Sequence, residues 1–220
     1  RKPDTSPQEH RAHAVERAEV GGAALLGARE VRDGPADGVD HGVEGVEHAI
    51  DAAVALRDDH PDAHLSIVGQ GWWDEELHKY VERAGASDIV TFTGHVDEAR
   101  KHEILAQSWL MLLPSLKEGW GIVIGEAGSH GTPTVAYASA GGTQESIDNG
   151  RSGLLVESPE EFTLAVRSLV ENDAARNQLG VGAREMSHSF SWEHSQNAFT
   201  KVVLESLNGA LVSVEDPDAT

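Results

Sequence analysis

Trp109 to Leu113 is apolar at every position and stops at Pro114. A strand with no polar face must be covered on both sides, which is the situation of a central strand in a parallel sheet flanked by helices. The neighbouring sequence supplies partners for it. His64 to Val68 and Ile89 to Thr93 read as strands before it, and Thr134 to Ala138 and Leu154 to Val156 as strands after it. Between them the apolar period lengthens to that of amphipathic helices. These fall at about Asp74 to Ala84, Glu98 to Gln107, a stretch ending near His130, a short one through Ile147, Pro159 to Asn172, Asp173 to about Ser187, and Ser191 to Leu207. The alternation predicts an α/β fold, a doubly wound, mostly parallel Rossmann-like sheet with flanking helices.

The first part of the chain is less regular. A helix picks up near Val43, with Val46, Ile50, Ala53, Val54 and Leu56 on roughly one face, and a doubly wound sheet needs a strand just ahead of it. Ala23 to Leu26, followed by Gly27, is the candidate. Arg1 to Glu19 is mostly polar, and Gly27 to Gly45 carries Gly, Asp, Pro or a charge at almost every position, too little apolar surface to order itself. The expected organisation is a poorly structured segment over 1–42, a folded domain over 43–207 and an acidic tail over 208–220. The chain opens on Arg1 rather than Met, and the change of character near Gly45 predicts a truncated or frame-disrupted gene.

Composition removes several classes of function. The 220 residues, 39% of them hydrophobic, suffice for a real core. Thirty-seven acidic against seventeen basic residues give a formal charge of -20, which repels nucleic acid and anionic lipid, so an anionic ligand must be held by local donors. No run reaches the roughly 18 apolar residues of a membrane span, and the first residues carry charges where a signal peptide needs an apolar core. The absence of Cys rules out a disulfide frame, a thiol nucleophile and Cys-ligated zinc, and the expectation is a cytoplasmic protein. Neither H-E-x-x-H nor G-x-S-x-G occurs, so a zinc hydrolase and a serine triad have no anchor. Gly69-Gln70-Gly71 follows a strand, but the third glycine of a dinucleotide fingerprint would fall at Asp74, whose charge opposes a pyrophosphate. A tight strand-to-helix turn is the plainer account.

The segment Pro114 to Ala127 carries the chemistry. A buried strand empties into a loop with a carboxylate and two glycines, and a helix starts at once. The C-terminal edge of a parallel sheet is where such folds bind ligands, and a helix N-terminus offers free N–H groups and a positive dipole end to a phosphate. Gly119 and Gly121 let a bulky ligand approach the backbone. Glu118 lies before the helix and Glu126 one to two turns inside it, so both can face one crevice, where a carboxylate accepts hydrogen bonds from vicinal hydroxyls. A glycine-rich turn with two solvated acids is the alternative.

The run from Glu118 to Glu126 (EGWGIVIGE) resembles the E-x7-E motif of family-4 retaining glycosyltransferases of the two-Rossmann (GT-B) architecture. Ile67 to Gly71, Phe92 to Val96, His130 to Ala136, Gly141 to Glu145, Asn149 to Val156 and Phe190 to Trp192 agree with it in order and spacing, so the resemblance covers about Val46 to Leu207, that family's C-terminal, donor-binding domain. It implies binding of a nucleoside-diphosphate sugar and hexosyl transfer to an unknown acceptor, with no cofactor and no metal. Glu118, the catalytic-site carboxylate, would hold hydroxyls of the donor sugar, and backbone N–H groups of Gly119, Trp120, Gly121 and Ile122 would meet the sugar and diphosphate. Glu126 would take the ribose hydroxyls. His95 and Val96 would border the base.

Two departures qualify the resemblance. The family has an Arg and a Lys for the donor phosphates after the first strand of this domain, whereas here Gly27-Ala28-Arg29 is followed by no Lys until Lys79. The acceptor domain that forms the other wall of the cleft is also missing from the sequence. The chain is therefore expected to be inactive alone, and the alternative is a non-catalytic nucleotide-binding or interaction module. Trp192, Phe199, Val202, Val203 and Leu207 lie on one broad face of the last helix, and its expected partner is the missing domain or a second copy of the chain.

Overall fold

A computed structural model describes residues 22–28, 45–71, 73–190 and 192–207. They run β1 (Gly22–Ala28), α1 (Val46–Leu56), β2 (His64–Gly69), α2 (Asp74–Arg83), β3 (Val90–Gly94), α3 (Glu98–Gln107) and β4 (Ser108–Leu113). There follow α4 (Ile122–Ser129), β5 (Thr134–Tyr137), a 3-10 turn (Ala138–Ala140), α5 (Thr143–Ser146), β6 (Gly153–Val156), α6 (Pro159–Glu171), α7 (Asp173–Ser189) and α8 (Trp192–Leu207). The six strands form one sheet in the order β3-β2-β1-β4-β5-β6, and every pairing is parallel. This is the doubly wound α/β fold expected from the alternation.

The strand at the centre explains why β4 has no polar residue facing out. Leu110 and Leu112 join one core with α1, α2 and α6, whereas Met111 and Leu113 join a second core with Ile104 and Leu105 of α3 and Ile124 and Ala127 of α4. Successive side chains of a strand point to opposite faces, so a strand covered on both sides buries all of them. The starts of α3 and α6 follow ordinary capping chemistry: the Asp97 side chain accepts from the Arg100 N–H, and Ser158 from that of Glu161.

β1 corrects the domain boundary. It lies inside the stretch expected to be poorly structured, yet it pairs with β2 on one side and β4 on the other, so the folded domain takes in Gly22–Ala28 as well as 45–207. The anticipated strand at Ala23 to Leu26 is the core of it. Without β1, β2 and β4 would each present an unpaired edge in the middle of the sheet. The rest of 1–42, with Arg29, and the tail over 208–220 lie outside the described residues. On α8, Phe199, Val202, Val203 and Leu204 are exposed, so the apolar face includes Leu204; the side chains of Trp192 and Leu207 lie outside the described set.

Candidate functional site

The strand order reverses between β1 and β4: the chain runs outward from β1 to β2 and β3, then returns to continue from β4 to β5 and β6. The crevice at such a switch point, beyond the C-terminal ends of the strands, is the default ligand site of an open parallel sheet. The helices following the two strands also begin there. Gly45, which precedes α1 with φ 115°, sits so close to the end of β4 that a Cβ would lie 1.9 Å from the Pro114 carbonyl oxygen.

The loop leaving β4 is held by its backbone. The Glu118 N–H donates to the Ala140 carbonyl at 2.7 Å, and the Glu118 carbonyl accepts from the Gly142 N–H at 3.3 Å. Gly142 is where the two segments meet most closely, since a Cβ there would fall 1.6 Å from the Gly119 carbonyl oxygen. Ser146 of α5 donates to the Trp120 carbonyl and closes the frame. The Glu118 side chain bends back over its own loop, accepting from the Gly119 N–H at 3.2 Å.

Gly121 turns the loop into α4 with φ 69°, a left-handed conformation that side-chain-bearing residues enter at a cost. The N–H groups of Trp120, Gly121 and Ile122 meet no acceptor among the described residues. Of the four donors expected to face a sugar diphosphate, three are therefore free, and the Gly119 N–H is occupied by Glu118. Free N–H groups at a helix start are what an anion requires.

Glu126 is held differently. Lys101, on the facing helix α3, donates to Glu126 Oε1 at 2.8 Å and reaches Glu98 at 2.9 Å. Burial opposes the charge on Lys101, but the hydrogen bonds to Glu126 and Glu98 outweigh it, and its pKa is raised. The next residue of α3, His102, places its Nδ1 2.9 Å from His130 Nε2, one turn beyond Glu126. Burial, then the neighbouring His102 and Arg184, hold the His130 pKa below its ordinary value.

The other expected residues occupy varied surroundings. His95 is exposed, while Val96 is half-buried against the α3–α4 core. Trp120 is 43% exposed and meets Phe190 edge-on with ring centroids 4.9 Å apart, so part of its surface is spent on packing. A cavity of about 530 Å³ opens between α4 and α7, lined by Trp120, Ile122, Glu126, Met186 and Phe190 among others. At the end of β2, Asp74 accepts from the Gly71 N–H at 2.9 Å, closing the tight turn anticipated there. Gly142, Ser146 and Lys101 were not expected at the site; each acts on a residue more than twenty positions away, a relation no local spacing encodes.

Residues 39–186 match the family model described as glycosyl transferases group 1. The chain belongs to this family. Among relatives of this group 1 glycosyltransferase chain, the D-inositol 3-phosphate glycosyltransferase of a Nocardioides species is 41% identical over 113 residues, 50% of this chain and 24% of the relative. The glycogen synthase of Mycobacterium tuberculosis is 31% identical over 189 residues, 83% of this chain and 45% of the relative. The chain thus spans less than half the length of these relatives. Anabaena HepE, solved in complex with UDP and glucose, superimposes with a TM-score of 0.67 at 23% identity over 82% of this chain and 48% of that one. The fold is that of one Rossmann-like half of GT-B glycosyltransferases. No helix among the described residues is long and apolar enough to cross a membrane.

Proposed function

We propose that this chain is the donor-binding half of a retaining glycosyltransferase, taking a nucleoside-diphosphate hexose at the β1/β4 switch point. The observation that carries the reading is the run of free N–H groups from Trp120 to Ile122, fixed at the start of α4 by the loop's bonds to the Gly141–Gly142 turn. The diphosphate sits on those donors, with Glu118 at the sugar hydroxyls, Glu126 at the ribose and the His95–Val96 turn beside the base. Family membership and the GT-B fold support this placement.

In the reaction, the bond between the anomeric carbon and the β-phosphate oxygen breaks with its electron pair leaving on the diphosphate. The acceptor hydroxyl oxygen bonds to the same face of that carbon, and its proton passes to the departing diphosphate. Donors fixed in advance at the leaving group stabilise the charge that develops there, and this reading needs no metal. Transfer also requires an opposing wall that binds the acceptor. We place its supply in a further domain, or in a second copy docking on the exposed Phe199, Val202, Val203 and Leu204 of α8. Sedimentation checks the second source: concentration-dependent association should vanish in a Phe199→Ser, Leu204→Ser variant, and a chain monomeric throughout leaves only the further domain. Titration calorimetry with UDP, GDP and ADP tests the site. One of the three should bind, and failure of all three would refute the proposal.

A further inference from the structure

Glu126 uses only half of its carboxylate. Oε1 accepts from Lys101 Nζ at 2.8 Å, whereas Oε2 accepts no hydrogen bond among the described residues. Lys101 is itself secured. Its side chain is 18% exposed, and its ammonium is shared with the far more exposed Glu98 at 2.9 Å. An ammonium fixed by one helix and bonded to one oxygen of a carboxylate on the next sets the direction of the second oxygen. Oriented, half-satisfied carboxylates are what recognition of paired hydroxyls demands, because both hydroxyl hydrogens need lone pairs already in place.

We propose that Lys101 is a positioning residue for ribose recognition: it pins Glu126 through Oε1 so that Oε2 is presented to the vicinal 2′- and 3′-hydroxyls of the donor nucleotide. This rests on the reading of Glu126 as the ribose-binding carboxylate. Lys101 touches no substrate in this account, and its effect is confined to the part of the ligand that Glu126 meets. Burial opposes the charge, but the hydrogen bonds to Glu126 and Glu98 hold the Lys101 pKa above its ordinary value, so the ammonium is charged in the neutral range.

The test compares whichever of UDP, GDP or ADP binds with its 2′,3′-dideoxy counterpart, by calorimetry on the full chain. The unsubstituted protein should prefer the ribose form by about tenfold or more, the scale of hydrogen bonds to a charged acceptor. Lys101→Met should remove most of that preference while leaving the dideoxy affinity within about twofold, and Lys101→Arg should restore it. An unchanged preference in Lys101→Met, or equal losses for both ligands, would overturn the inference, the latter marking a general electrostatic or folding effect. Glu126→Ala separates the two levels. If it abolishes the preference and Lys101→Met does not, only the positioning role falls; if it too keeps the preference, the ribose assignment falls first. Absence of binding by all three nucleotides overturns both. Thermal unfolding of each variant shows that losses are not losses of fold.

Discussion

Glu118 and Glu126 belong to one short run of sequence but are fixed by different means. Glu118 is placed by backbone: a strand-like bridge to Gly141, a bond to Ala140, and the near contact of Gly119 with Gly142. Glu126 is placed by side chains, through an ion pair to Lys101 on a neighbouring helix. Backbone framing leaves no adjustable atom, so its failure is abrupt. A side-chain pair is graded, because either partner can be altered while the helices stay packed.

The largest effect should come from breaking the backbone frame. In Gly142→Val the new Cβ meets the Gly119 carbonyl at a separation no packing allows, so the β4–α4 loop must move. Overpacking of this kind costs roughly 1–3 kcal/mol or more, and chemical denaturation should show it. Nucleoside-diphosphate binding should collapse along with it, since the free donors of Trp120 to Ile122 travel with the loop. A variant that folds and binds unchanged would show that the turn does not frame the site.

A smaller effect is expected where α3 and α4 meet through His102 and His130. The folded His130 pKa is lowered, so the native state favours the neutral ring while the unfolded chain takes up its proton near the ordinary value of about 6.5. Stability contributed by this site is present above that pH and is lost as pH falls through the lowered folded value. Unfolding midpoints followed from pH 7.5 to 5 should therefore decline less steeply in His130→Asn than in the unsubstituted chain, by an amount well below the Gly142 effect. Parallel curves would remove His130 from the account.

The contrast also marks what the sequence reveals. β4 is legible because its side chains are buried, with Trp109 only partly so, and burial on both faces gives the unbroken apolar run from Trp109 to Leu113. β1 is written more faintly: Gly22-Ala23-Ala24-Leu25-Leu26-Gly27-Ala28 has only two large apolar residues, and its place depends on neighbours far along the chain. At the site, the two glutamates and the glycines around Gly121 stand in one stretch and could be read together. Lys101 could not, and Gly142 showed only as part of a turn, because what makes them matter is a partner on another element.

The central claim is that the two carboxylates meet different parts of one ligand. Calorimetry of Glu118→Ala and Glu126→Ala, each with the nucleoside diphosphate and with the corresponding nucleotide sugar, tests it directly. Glu126→Ala should weaken both ligands by about 1.5–3 kcal/mol, because both carry the ribose. Glu118→Ala should leave the free nucleotide unchanged and weaken only the nucleotide sugar. Equal losses for both ligands in both variants would contradict the account.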